Sequence, residues 1–185
     1  MKSASRAFAF TAATGLAMWA SQLWTGSNAA ALQTPQAAST SGQVSRNLTT
    51  FDDLDYNVFS NQKWDELKKS HSKEIVVHWP DGRFTKGIEQ HIADLKAMFV
   101  YAPDTRIKQH PVKFGSGEWT SVVGIMEGTF TKPMPVPNGK PIAPTGKAFK
   151  ISMNTVGRWN AQGTMDEEYL FWDNATYMKQ LGIGQ

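Results

Sequence analysis

AFKISMNTVGRWNAQGTMDEEYLFWD, residues 148–173, decides how this chain folds. Two runs of strand-forming residues flank Ala161-Gln162-Gly163, a short turn signal. In the first run Phe149, Ile151, Met153 and Thr155 alternate with Lys150, Ser152 and Asn154, so one face is apolar and the other polar. In the second run Glu167 and Glu168 are adjacent, and side chains of neighbouring strand residues point to opposite faces. One of the two carboxylates must therefore enter the protein unless a bulge intervenes.

Upstream, 106–114 and 119–131 form another strand pair around Gly-Ser-Gly-Glu at 115–118. Residues 132–147 carry five Pro and read as a long loop. The N-terminal half has a different period. Asn47 is placed to cap a helix in which Leu48, Phe51, Leu54, Val58 and Phe59 recur at helical spacing. A short helix starts at Trp64 and frays into Ser70-His71-Ser72. Glu74 to Trp79 is a short buried strand ended by Pro80-Asp81-Gly82. A third helix follows Gly87, with Ile88, His91, Ile92, Leu95, Met98 and Phe99 on one side, and Thr176 to Leu181 closes the chain with a helical turn. Helices come first and long antiparallel strands later, so the expected class is α+β, with helices packed on one face of a curved sheet.

The whole chain has 185 residues, 41% hydrophobic and 19% charged, as a globular domain does. It has no Cys, which excludes disulfides, thiolate metal sites and Cys nucleophiles. Lys2 and Arg6 precede an apolar stretch, and Ser27-Asn28-Ala29 offers a cleavage site, so residues 1–29 read as a signal peptide. The expected protein is exported, periplasmic or secreted from a bacterium, with no stable membrane insertion after cleavage. Residues 30–46 read as a flexible leader and 47–185 as one domain. The formal charge of +3 falls to +1 once Lys2 and Arg6 are removed, which gives no electrostatic reason to bind nucleic acid.

Several pieces occur in a telling order: Gly128-Thr-Phe-Thr131, Pro144-Thr-Gly-Lys147, Arg158 ahead of Gly163, Glu167-Glu168, Asp173 and Gln180-Leu-Gly182. With His78 after the first strand and Gly87 before the third helix, the ordered set resembles the SnoaL-like polyketide cyclases, also called ester cyclases, of the nuclear transport factor 2 superfamily. The resemblance implies a cone: a bent, mostly antiparallel sheet with about three helices closing an apolar pocket. It also implies a homodimer built on the outer sheet face, where Ser152 and Asn154 are neither charged nor bulky. The family's cyclases perform an intramolecular aldol condensation without metal or cofactor, using an Asp on the last long strand and a His on the strand before. Aligned on Gly163 and Gln180-Leu-Gly182, the Asp position holds Leu170, and counted back from Arg158 the His position holds Thr155; neither can move a proton at neutral pH.

The candidate chemistry must therefore come from other residues. With Leu170 inward, parity selects Glu168, together with Asp166 and Trp172. An apolar cavity raises a carboxyl's pKa and makes it a usable general base. His91, on the apolar face of its helix, is the candidate partner. His78, Trp79, Met153, Thr155, Leu170 and Trp172 are the expected pocket residues, and His71 and His110 read as surface residues. No G-x-S-x-G, H-E-x-x-H or phosphate loop is present, and the four His are not spaced as a metal set, so no metal or cofactor is expected. Two readings remain open. One is a cofactor-free enzyme that cyclises or isomerises a small apolar carbonyl metabolite; the other is a non-catalytic binding module for such a metabolite.

Overall fold

The computed structural model describes residues 35–183, with side chains from residue 41 onward. The expected signal peptide and the first part of the expected leader lie outside the described residues. The chain runs α1 (Pro35–Asp53), a π-helical turn (Leu54–Phe59), a 3-10 helix (Trp64–Lys69), β1 (His71–His78), β2 (Phe84–Lys86) and α2 (Ile88–Tyr101). Then follow β3 (Arg106–Ile107), β4 (Val112–Ser116), β5 (Trp119–Thr129), β6 (Ala148–Trp159), β7 (Met165–Phe171) and α3 (Asn174–Leu181).

All seven strands form one curved, unclosed sheet in the order β2-β1-β7-β6-β5-β3, with β4 also on β5. Pairing is antiparallel except between β1 and β7. The β5–β6 ladder runs unbroken from Trp119 opposite Arg158 to Thr129 opposite Ala148. It presents Val122, Met126, Phe149, Ile151, Met153 and Trp159 to the concave side, all buried. Two inward positions are glycines where a side chain cannot fit. A Cβ at Gly128 would sit 2.8 Å from the Phe149 ring, and one at Gly157 would run into Met165 Sδ. Phe51, Leu54, Val58 and Phe59 from the first helical segment and Leu95 and Phe99 from α2 cover the same concave side.

The C-terminal end is fixed by polar groups. Asp173 caps α3 by accepting from the amides of Ala175 and Thr176, and Gly182 ends it at φ 75°. The Gln180 side-chain amide accepts from Lys150 N (2.6 Å) and donates to Lys150 O (3.1 Å), so it takes the place of a strand partner where β7 has already ended.

The structure departs from the sequence reading in the first helix. It starts at Pro35, inside the expected leader, and Asn47 lies within it rather than capping it. Asn47 Oδ1 is taken by Gln43 Nε2 at 2.7 Å, one turn earlier, and the residue is buried. The strand expected over 106–114 is interrupted, leaving His110 between β3 and β4. Alternation along β7 also fails at one point: a register shift opposite Arg158–Trp159 puts Met165 inside and turns Asp166 toward Arg158, away from the expected inner face.

Candidate functional site

Alternation along β7 sends Glu168 and Leu170 to the concave side, opposite Gly157 and Thr155 of β6. There they line an inner chamber with Trp79, Met153 and Trp172. The chamber is small: the centres of water-sized molecules can occupy about 40 Å³, room for a few waters. Its wall is mostly apolar, and its polar groups fall into two clusters.

The first cluster joins three elements. His91 comes from α2, one turn before Leu95, and reaches Glu168 Oε2 with Nε2 at 3.4 Å. His71, the first residue of β1, brings its own Nε2 to 3.7 Å from the same oxygen. All three side chains are at most 5% exposed. His71 was read as a surface residue, and the structure corrects this. It lies in phase with the buried Ile75 and Val77, so a strand begun three residues earlier would have placed it inside. His71 Nδ1 meets Ser70 Oγ at 2.9 Å, and that hydroxyl also donates to Leu67 O at 3.1 Å.

The electrostatics of Glu168 also correct the reading. Burial alone pushes its pKa up, but the facing imidazole of His71 and the charges of His91 and His71 outweigh burial and hold it below the ordinary glutamate value. Burial pushes His91 down to about 4, against the pull of Glu168, so its imidazole is neutral at neutral pH.

The second cluster stands on the helical side of the chamber. The π-helical turn exposes Asp55 to the chamber while Leu54, Val58 and Phe59 pack into the core. His110 bridges two carboxylates, with Nε2 to Asp55 Oδ2 and Nδ1 to Asp52 Oδ1, each at 2.8 Å. It stacks on Tyr56 at 4.5 Å, and Lys113 pairs with Asp52. Only 1% of its side chain is exposed, so its assignment to the surface is also corrected. Burial pulls His110 down, but hydrogen bonds and charge from Asp55 and then Asp52 raise it above the ordinary imidazole value. Asp55 itself is raised, because its burial outweighs its bond to His110. Sequence reasoning missed this cluster. Its one signal was an acid, Asp55, inside an apolar helical stripe.

Of the expected pocket residues, Trp79, Met153, Thr155, Leu170 and Trp172 line the chamber and His78 does not. His78 pairs with Tyr169 in register, whereas Val77 pairs with Glu168. Strand alternation therefore puts His78 on the outer face, stacked on Tyr169 at 4.1 Å and 3.2 Å from Glu167. Glu167 takes Tyr169 Oη at 2.7 Å and lies 3.2 Å from Arg158 Nε, which keeps it outside. Beyond the chamber lies an open groove of about 520 Å³, lined by Arg83, Asp94, Met134 and Tyr177 among others. Trp79, Met98 and Trp172 line both spaces and so form the wall between them.

Solved structures share this architecture. A SnoaL-like protein of Jannaschia sp. CCS1 superposes with TM-score 0.65 at 18% identity, over 77% of this chain and 95% of its own. IdmH of Streptomyces antibioticus gives 0.62 at 20% identity, over 74% of this chain and 99% of its own. A Xanthomonas campestris protein gives 0.63 at 12%, over 75% of this chain and 98% of its own. No curated protein matches the chain. These identities speak for the fold alone, but the sequence model of the SnoaL-like polyketide cyclases matches residues 49–181, from α1 to the last residue of α3. By that span, which takes in both polar clusters and every strand of the cone, the chain belongs to the SnoaL-like polyketide cyclase family.

Proposed function

We propose that this protein is an exported, cofactor-independent enzyme that moves a proton beside the carbonyl of a small apolar metabolite, as cyclisation or isomerisation requires. Glu168 is the proton acceptor, and His91 stands beside it with Nε2 3.4 Å from the same carboxylate oxygen. The observation that carries the reading is the Glu168 carboxylate, ionised yet enclosed in an apolar chamber, with its Oε2 lacking any hydrogen-bond partner among the described residues. Such an oxygen is poorly solvated and open to a C–H proton. The chamber takes only the reacting end of a ligand, and the outer groove takes the rest. Asp55, raised and facing the chamber, is a second proton-transfer group on the opposite side.

A homodimer on the outer sheet face belongs to the same proposal. Val112 and Phe114 on β4, Trp119 on β5 and Phe171 on β7 are exposed there, apolar positions suited to a second copy. Nucleic acid has no part in it.

The second reading, a non-catalytic binding module, draws on Leu170 and Thr155, which pair across β6 and β7 and which the sequence resemblance puts at the positions of the family's acid/base pair. Solvent deuterium exchange separates the two. A panel of small cyclic ketones and 1,3-dicarbonyl compounds in D2O, followed by NMR, should show protein-dependent exchange of α-protons. Glu168→Gln should slow it by about 100-fold or more with the fold intact. Equal exchange by Glu168→Gln, or none by the native chain on any compound it binds, would transfer the protein to the binding class.

A further inference from the structure

His71, His91 and Glu168 come from β1, α2 and β7, and their spacing in the chain carries no metal signature. Folding brings one donor atom of each within 4.8 Å of the others. From these positions we propose that the three side chains form a binding site for one divalent transition-metal ion of the zinc class, with its open coordination position facing the inner chamber.

The distances argue for a cation between the groups. Glu168 Oε2 lies 3.4 Å from His91 Nε2 and 3.7 Å from His71 Nε2. Hydrogen bonds between such atoms would be about 2.7–3.2 Å long. Ligands of a tetrahedral zinc ion, bonded at about 2.0–2.1 Å, stand roughly 3.3 Å from one another. The separations here are too long for direct hydrogen bonds and close to those of neighbouring ligands.

Two of the three atoms, His71 Nε2 and Glu168 Oε2, are fully buried and have no hydrogen-bond partner among the described residues. A buried lone pair left unmatched is costly, and native proteins rarely leave two pointing toward one point. The other nitrogen of His71 is already engaged. Ser70 Oγ donates to Leu67 O and so accepts from Nδ1–H, which in a neutral imidazole puts the lone pair on Nε2, 3.7 Å from Glu168 Oε2. Metal-bound histidines are held in this way, with the second nitrogen donating to a fixed acceptor.

The donor set decides the kind of ion. Two imidazole nitrogens and one carboxylate oxygen suit zinc and its first-row neighbours rather than calcium or magnesium, which prefer all-oxygen shells. Three protein ligands with one position open is the arrangement of zinc sites that bind a small molecule. Thr155 and Asp55 line the same chamber, which has room for a water at the open position.

This inference does not rest on the acid–base reading, because an ion and a substrate proton compete for the same Glu168 oxygen. With an ion seated there, Asp55 is the remaining carboxylate of the chamber. The test uses the full chain stripped with a chelator and then titrated with zinc sulfate against a chromophoric competitor. One equivalent should bind with Kd at or below about 1 µM. X-ray absorption of the loaded protein should report nitrogen and oxygen ligands, including two imidazoles. His91→Ala and Glu168→Gln should each weaken binding by about 100-fold or more, while His78→Ala, on the outer face, should leave it unchanged. Should a variant fail to fold, the absorption spectrum of the native chain decides alone. Binding weaker than about 100 µM, a shell with fewer than two imidazoles, or native affinity in both variants would overturn the site. The chelator-stripped chain also serves in the exchange assay. A chain that binds zinc but exchanges nothing sinks the acid–base reading only, and the converse sinks only the metal site.

Discussion

His110 holds two carboxylates with its two ring nitrogens, so its loss would leave acceptors on both Asp52 and Asp55 without their donor. His110→Phe keeps the ring and its stacking on Tyr56 but removes both donors. We expect it to cost about 2–4 kcal/mol in urea unfolding near pH 6. The pH dependence has a definite sign. His110 is raised above 6.5, so its contribution is complete below that value and is lost as pH rises through the raised one. Asp52 is lowered by Lys113 and His110 despite its partial burial, so its share is lost as pH falls through the lowered value. The difference between native and His110→Phe should be largest in mildly acidic solution and shrink in both directions. A flat difference between about pH 5 and pH 9 would mean that the ring only fills space. At this scale legibility was uneven. Strand parity separated Glu168 from Glu167, because alternation is a local rule. The direction of its pKa was not legible, because it depends on imidazoles delivered by β1 and α2.

The irregular elements supply most of the chemistry. Asp55 stands on a π-helical turn, His110 in the break between β3 and β4, and His71 before the register shift of β1 on β7. Period-based reading finds regular helices and strands, and so it passes over the places where the period fails. The long strands, the 115–118 turn and the helix after Gly87 were legible for the opposite reason. The docking of α3 offers a test at this scale. Gln180→Ala removes both bonds to the Lys150 backbone and leaves that stretch of β6 without a partner on its outer side. We expect a loss of about 1–2 kcal/mol in stability, with faster amide exchange at Lys150. Unchanged exchange there would show that water replaces the side chain at no cost.

Across the whole molecule, the fold was readable because the long strands β5 and β6 each carry one apolar, buried face. The proposed dimer would use the opposite face. Val112, Phe114, Trp119 and Phe171 should be covered in a dimer, which sedimentation velocity at about 10 µM would detect. Phe171→Asp should yield monomers with an intact fold. A native chain that sediments as a monomer would end the dimer proposal.

On the proposed function, the boundary at Trp79, Met98 and Trp172 would divide selectivity into two filters. The inner space sieves by size, because a few added atoms at a ligand's reacting end would have no volume to occupy. The groove beyond the wall is open, and it tolerates variation in whatever projects into it. Such a protein should accept a series of compounds that share one small head and differ in their tails, and reject a close analogue whose head is one carbon larger.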